Sequence, residues 1–286
     1  YGIKATQGRI PRRRSSVHSY FPLNNSSVGP LARDVRDCAV LLNVLSGPAP
    51  DAESGTISTP PPDYTECLAR GVRGLRIAWS HDFGGAPVDH EIVDICGKAA
   101  KVFEELGAHV EHAEYKPDAP EAVFESFVTF SAAKTYTTHP DALQRRADLT
   151  DYFFSALERG RAVTGEQLFT AISNIGRYRA YTVEFLSRYD LLLSPTLAVG
   201  AFKIGHPPEA IGGKRVFSPR LGFYPFTYPF NATGNPAASI PCGFTKEGMP
   251  AGLQIIGRHE DEATVIAASA AFEQARPWAQ HRPPVH

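Results

Sequence analysis

The chain has 286 residues, 43% of them apolar, and a formal net charge of -1. That is enough apolar material for one large or two modest cores, and it excludes a disordered class. The near-neutral charge leaves no electrostatic footprint for nucleic acid or an anionic membrane surface, and no apolar run reaches the roughly 20 residues of a membrane span.

The chain opens at Tyr1 without a methionine, in YGIKATQGRIP, which reads as the continuation of a strand and turn already begun; further sequence is expected to precede it. Residues 1–30 break short apolar pieces with Gly, Pro, Asn and Ser and are assigned strands and loops, with Arg12, Arg13 and Arg14 as a solvated turn. After Gly29-Pro30, the residues Val35, Cys38, Ala39, Leu41, Leu42 and Leu45 form one helical stripe that Gly47-Pro48 stops. Residues 48–66, rich in Pro, Ser, Thr and Asp, read as a surface connection. GLRIAWS at 74–80 is a buried-type strand. A helix over 89–106 follows, with Ile92, Ile95, Cys96, Ala99, Val102, Phe103 and Leu106 as its stripe, and Gly107 separates it from a strand at 108–112. Strand, helix, glycine, strand at this spacing predicts a parallel βαβ crossover in an α/β sheet.

Residues 120–189 turn helical, with helices expected over 122–136, 147–159 and 165–189. Arg145, Arg146, Arg159, Arg161, Arg177 and Arg179 are assigned to solvated faces. Leu191-Leu192-Leu193 before Ser194-Pro195-Thr196 is a buried strand and its end, the place where α/β sheets present residues to ligands. Residues 203–220 read as a flexible loop. Residues 261–274 read as an Ala-rich helix whose Asp261 and Glu262 suit its N-terminus, and the remainder as a tail.

Residues 223–258, FYPFTYPFNATGNPAASIPCGFTKEGMPAGLQIIGR, stand apart. Five aromatics precede a Gly- and Asn-containing turn, a composition that fits a pocket wall, because rings give rigid apolar surface and small residues allow close approach. A tightly packed core strand with its turns fits the same composition.

No Gly-x-Ser-x-Gly elbow, phosphate loop, dinucleotide fingerprint or His-Glu-x-x-His motif is present. His109, His112 and His259 lack a third ligand in register, so no metal is expected. Cys38, Cys67, Cys96 and Cys242 have no Cys-x-x-Cys spacing and read as small core residues in a reducing, cytoplasmic setting. The Asn-x-Ser/Thr triplets at Asn25 and Asn231 would matter only in a secreted chain and are discounted.

GIKATQGRIP with SSVGPLARDVRDCAVLLNVLSG, and LLLSPT with FTYPFNATGNPAASIPCGFTKEGMPAGLQIIGR, resemble the part of an amidase signature family enzyme that follows its Gly- and Ser-rich signature; AAFEQARPWAQHRPP resembles the family's terminal helix and tail. The resemblance covers essentially the whole chain. It implies an α/β/α sandwich around a large mixed sheet, residues 1–286 forming the C-terminal portion of a single domain with a mainly helical insertion at about 120–189. It also implies amide hydrolysis by a Ser, cis-Ser, Lys triad and no cofactor. Those three residues would lie before Tyr1, so no catalytic residue is assigned here, and Lys4, Ser26 and Ser27 fall at positions after the triad. Carried over as substrate-bordering positions are Phe226, Thr227, Asn231, Gly234, Ser194, Pro195 and Thr196, each of which also admits a purely structural role. The expected partners are a small-molecule amide and the enzyme's own N-terminal portion, either as a separate polypeptide or outside this numbering, with a homodimer left open; nucleic acid and membrane are not expected. The alternatives are the amidase-type subunit of an amidotransferase complex and a non-catalytic scaffold chain.

Overall fold

The structure, a computed structural model, describes residues 1–12, 26–49, 52, 55–117, 120–216, 218 and 222–282. Arg13, Arg14 and Asn25, and parts of the 203–220 loop and of the tail, lie outside the described residues. In chain order the elements are β1 (Gly2–Lys4), α1 (Val35–Leu45), β2 (Arg76–Trp79), α2 (His90–Glu105), β3 (His109–His112), α3 (Pro120–Thr138), α4 (Asp151–Ala162), α5 (Gly165–Ser187) and β4 (Leu191–Pro195). They continue with β5 (Ala210–Ile211), β6 (Lys214–Arg215), α6 (Tyr228–Thr233), β7 (Ala237–Phe244), β8 (Pro250–Gly257) and α7 (Glu262–Ala275).

Six strands form one mixed sheet in the order β1-β7-β8-β4-β2-β3. The predicted crossover is present: β2 and β3 run parallel from Arg76↔His109 to Trp79↔His112, with α2 between them. β4 is the hinge of the topology, parallel to β2 and antiparallel to β8. The period of two decides which face each side chain joins. Leu191, Leu193, Ile77, Leu253, Ile255, Ala238 and Ile240 point into a core closed by α1, α2 and α7. Leu192, Ala78, Ile256 and Ala237 point into a second core closed by α5, α6 and the turn after β2. A sheet covered on both faces explains why β4 reads as unbroken leucine. Each of these buried leucines contributes about 1.5–3 kcal/mol relative to exposure. The edge strand β3 is mostly exposed and carries His109, Glu111 and His112, polar groups that blunt it against further pairing.

Helix ends follow the expected chemistry. Asp34, Asp89, Thr150, Thr164 and Asp261 each accept a backbone N–H at a helix start, contacts worth about 1 kcal/mol apiece. The helical insertion is α3, α4 and α5, with a 310 stretch over Pro140–Asp148 where the second helix was expected to begin. Gly160 of α4 sits against α3 so closely that a Cβ there would lie 2.0 Å from the Ala132 carbonyl oxygen. The six arginines assigned to solvated faces are all exposed.

Two expectations are corrected. α1 buries Val35, Cys38, Ala39 and Leu42, but Leu41 and Leu45 are 42% and 38% exposed. The i, i+3, i+4, i+7 set seats on α7 and the 310 turn at Tyr64–Ala69, which leaves the flanking leucines outside. The connection over 48–66 is not surface throughout: Tyr64 is fully buried, its N–H held by the Asn43 side chain.

Candidate functional site

The parallel pair β2/β4 brings two strand carboxyl ends side by side, the position at which open α/β sheets bind ligands. β2 leaves the sheet through Ser80, whose N–H donates to the Leu193 carbonyl at 3.0 Å, and enters a tight turn. Asp82 builds that turn: its carboxylate accepts from Gly84 N–H at 3.0 Å and its carbonyl from Gly85 and Ala86 N–H. The turn holds Phe83 at φ 49°, a left-handed conformation that costs a bulky residue roughly 1–2 kcal/mol. In return the Phe83 ring lies edge-on to Tyr115, Phe226 and Phe230, with centroids 4.8, 5.1 and 5.9 Å away.

Beside this aromatic cluster is a cavity of about 520 Å³. Its walls come from the Phe83 turn, Phe124 of α3, Tyr178 of α5, Val216, and Pro225 with Tyr228 at the start of α6. Burial pushes the phenol pKa values of Tyr178 and Tyr228 up, so both are neutral hydroxyls. Among the described lining residues only Glu125 carries a charge. The space suits an uncharged apolar or aromatic group.

The predicted site residues fall in three places. Ser194 and Phe226 are both buried and are joined by Gln254 of β8, whose Nε2 donates to Ser194 Oγ at 3.0 Å and to the Phe226 carbonyl at 2.8 Å. Pro195 is buried at the end of β4, and Thr196 is half-buried, its hydroxyl 2.7 Å from Ser239 Oγ on β7. Thr227, the residue before α6, and Asn231, on that helix, are half-buried, and Gly234 ends the helix at φ 81°. The cavity wall itself takes Pro225, Tyr228 and Pro229 from this stretch.

Gly234 leads to a second junction that the sequence pattern alone does not assemble. Its carbonyl accepts from Gln7 N–H at 3.0 Å, and a Cβ on it would meet the Gln7 side chain at 3.1 Å. Lys4 Nζ donates to the carbonyls of Asn235 and Ala5. Burial pulls its pKa down to about 7, opposed by the carboxylate of Glu262. Glu262 is itself fully buried: it accepts Thr6 N–H at 2.7 Å and the Tyr64 hydroxyl at 3.4 Å, and lies 3.7 Å from Arg9 Nε. Glu262 stands in the first turn of α7, as expected, and it also ties that helix to the GIKATQGR segment. His259 closes the junction, its Nε2 2.8 Å from the Thr233 carbonyl oxygen, and burial lowers its pKa. The signals for the missed residues were present. Glu262 falls on the same helical stripe as Val265, Ile266 and Ser269, all buried, and Phe83 lies in the turn that follows the carboxyl end of β2 at Trp79.

Among the described residues no group of three His, Cys, Asp or Glu side chains stands together as a metal site, and no helix is long and apolar enough to cross a membrane.

The sheet, covered on both faces and with an aromatic-walled cavity at its strand ends, is that of an amidase: the chain belongs to the amidase family, whose sequence profile matches residues 1–266. It is 33% identical over 283 residues to an acylamidase of Rhodococcus erythropolis, covering 99% of this chain and 58% of that protein. It is 31% identical over 307 residues to a glutamyl-tRNA(Gln) amidotransferase subunit of Moorella thermoacetica, covering 99% of this chain and 60% of that protein. The crystal structure of a bacterial aryl acylamidase of the amidase signature enzymes superposes with a TM-score of 0.87 at 33% identity, over 97% of this chain and 58% of that one. The chain thus spans well under two thirds of the length of these relatives.

Proposed function

We propose that this chain forms the C-terminal part of an amidase that hydrolyses the carbon-nitrogen bond of an amide with an apolar or aryl substituent. The catalytic Ser, cis-Ser and Lys come from sequence on the N-terminal side of residue 1, on the same polypeptide or a separate one. The nucleophilic Ser attacks the carbonyl, the neutral Lys takes its proton through the bridging Ser, and backbone N–H groups receive the oxyanion. This chain contributes the scaffold, through the Lys4–Asn235 and Thr6–Glu262 junction, and one wall of the substrate pocket. Phe226, Thr227, Asn231, Gly234, Ser194, Pro195 and Thr196 stand at the strand ends and around α6 behind that wall, as substrate-bordering positions that do not line the cavity itself. The observation that carries the reading is the cavity of about 520 Å³ beside the Phe83 cluster, whose neutral phenols favour an apolar group. The free cysteines favour a reducing, cytoplasmic setting.

Similarity to an amidotransferase component supports a second reading, in which the chain belongs to a multisubunit enzyme and hydrolyses glutamine. One experiment separates them. The chain is expressed alone and together with its N-terminal portion, then assayed with an acyl anilide, with glutamine and with a serine-directed fluorophosphonate. Anilide hydrolysis and serine labelling are expected only when the N-terminal portion is present. Labelling of this chain itself refutes the assignment of the nucleophile, and turnover of glutamine alone favours the second reading.

A further inference from the structure

On the face of the sheet away from the aromatic cavity, two thiols from distant parts of the chain come together. Cys96 projects from the middle of α2 and Cys242 from β7, and their Sγ atoms are 3.9 Å apart. Two local features produce this approach. The β7/β8 ladder pairs Pro241 with Gly252 and Gly243 with Ala251, so Cys242 is the extra residue of a β-bulge, a device that re-aims a side chain out of the regular alternation. The next residue is Gly243, where a Cβ would lie 2.8 Å from Ile95 Cγ2; only glycine lets α2 come this close to β7. The two thiols differ in access. Cys96 is fully buried, whereas Cys242 is half-buried and lines an open cleft of about 810 Å³ between α2, α7 and the β7/β8 hairpin.

We infer that Cys96 and Cys242 are an oxidation site at which a hydroperoxide converts the thiol pair to a disulfide linking α2 to β7. The peroxide enters by the cleft. The Cys242 sulfur attacks the outer peroxide oxygen, the O–O bond breaks, and the alcohol or water leaves with the thiol proton, giving a sulfenic acid. The Cys96 sulfur then attacks the Cys242 sulfur, the S–OH bond breaks, and the Cys96 proton departs with the hydroxide as a second water. Two sulfurs are oxidised by one electron each, and one peroxide is reduced by two. The sulfurs must close from 3.9 Å to about 2.05 Å. The contacts given up are weak ones, Cys96 Sγ to the Gly252 carbonyl at 3.6 Å and Cys242 Sγ to the Ala251 carbonyl at 3.4 Å. The hydrogen bond to Cys242 and burial hold the Cys96 thiol up in pKa, so it stays protonated until the first step is complete.

The test is differential alkylation and peptide mass mapping of the intact protein after treatment with tert-butyl hydroperoxide, with dimedone present in a parallel sample to trap sulfenic acid. Wild-type protein is expected to lose free thiol at Cys96 and Cys242 together, to yield a cross-linked peptide pair lighter by two hydrogens, and to leave Cys38 and Cys67 alkylatable once unfolded. In C96S, with an unchanged circular dichroism spectrum, Cys242 is expected to accumulate as the dimedone adduct, several-fold above wild type. Equal dimedone labelling of Cys242 in wild type and C96S overturns the proposal. So does the recovery of both thiols reduced, or of Cys242 oxidised to sulfinic acid with Cys96 still free.

Discussion

Lys4→Met keeps the side-chain stem and removes the amine, and its effect is read through pH. In the folded chain the amine donates to the Ala5 and Asn235 carbonyls. Burial draws its pKa from 10.5 to about 7. The folded pKa is therefore below the unfolded one, and from about pH 7 to 10.5 the unfolded chain binds more protons. Stability of the wild type must rise with pH across that window and be flat with respect to Lys4 below it. At about 1.36 kcal/mol per pH unit, a shift of this size gives about 3 kcal/mol between pH 7 and about pH 9.5. Lys4 as a residue is half-buried, and solvent screening brings the expected gain to about 1.5–3 kcal/mol. Urea midpoints by circular dichroism at half-unit steps over that range give the measurement. The window stops there because burial raises the phenol pKa values of Tyr1, Tyr64 and Tyr115, whose linkage runs in the opposite direction at higher pH. Wild type is expected to gain stability relative to K4M as pH rises; parallel profiles refute a buried, largely neutralised amine.

Glu262→Ala strands the Thr6 N–H and takes the buried carboxylate away from the Tyr64 hydroxyl and from Arg9, whose guanidinium keeps Glu260 and the Thr59 carbonyl. It is expected to cost about 3–5 kcal/mol in urea unfolding, with E262Q costing less because its amide oxygen still accepts from Thr6. Gln254→Leu leaves the Phe226 carbonyl without its donor. It is expected to lower stability by about 1–3 kcal/mol and, in the active protein, to raise KM for an aryl amide more than it lowers kcat. Gly160→Val drives a side chain into the Ala132 carbonyl 2.0 Å from the Cβ position. It is expected to cost about 3 kcal/mol or more and to lower the amide-exchange protection of α3 and α4 together.

The βαβ unit was legible because every signal agreed: apolar run, Asp89 at the cap, a stripe of 3 to 4 spacing and Gly107 at φ 91°. β4 was legible because a strand buried on both faces has no alternation to disguise it. Side-chain destinations were harder. Leu41 and Leu42 carry the same residue type, yet only Leu42 enters the core, since the angle at which α1 meets α7 is a tertiary fact. Lys4 and Glu262 are charged residues that composition assigns to solvent; Glu262 is buried and Lys4 half-buried because carbonyls and amides distant in the chain receive them. The pocket stretch was recognised as aromatic, but it gives the cavity only Pro225, Tyr228 and Pro229; Phe83, Phe124 and Tyr178 come from the turn after β2, from α3 and from α5, brought in by tertiary packing that local sequence does not encode.

The position of β4 also bears on synthesis of the chain. One of its edges pairs with β2, made earlier, and the other with β8, whose Gln254 lies 60 positions after Ser194. At about 5–20 residues per second, the ribosome takes roughly 3–12 s to deliver that partner. During this interval a strand of consecutive leucines presents an unpaired backbone edge at the centre of the growing sheet. A chaperone that holds extended apolar segments would find its best target there, and a ribosome stalled between α6 and β8 would leave a half-sheet ready to pair with another copy of itself.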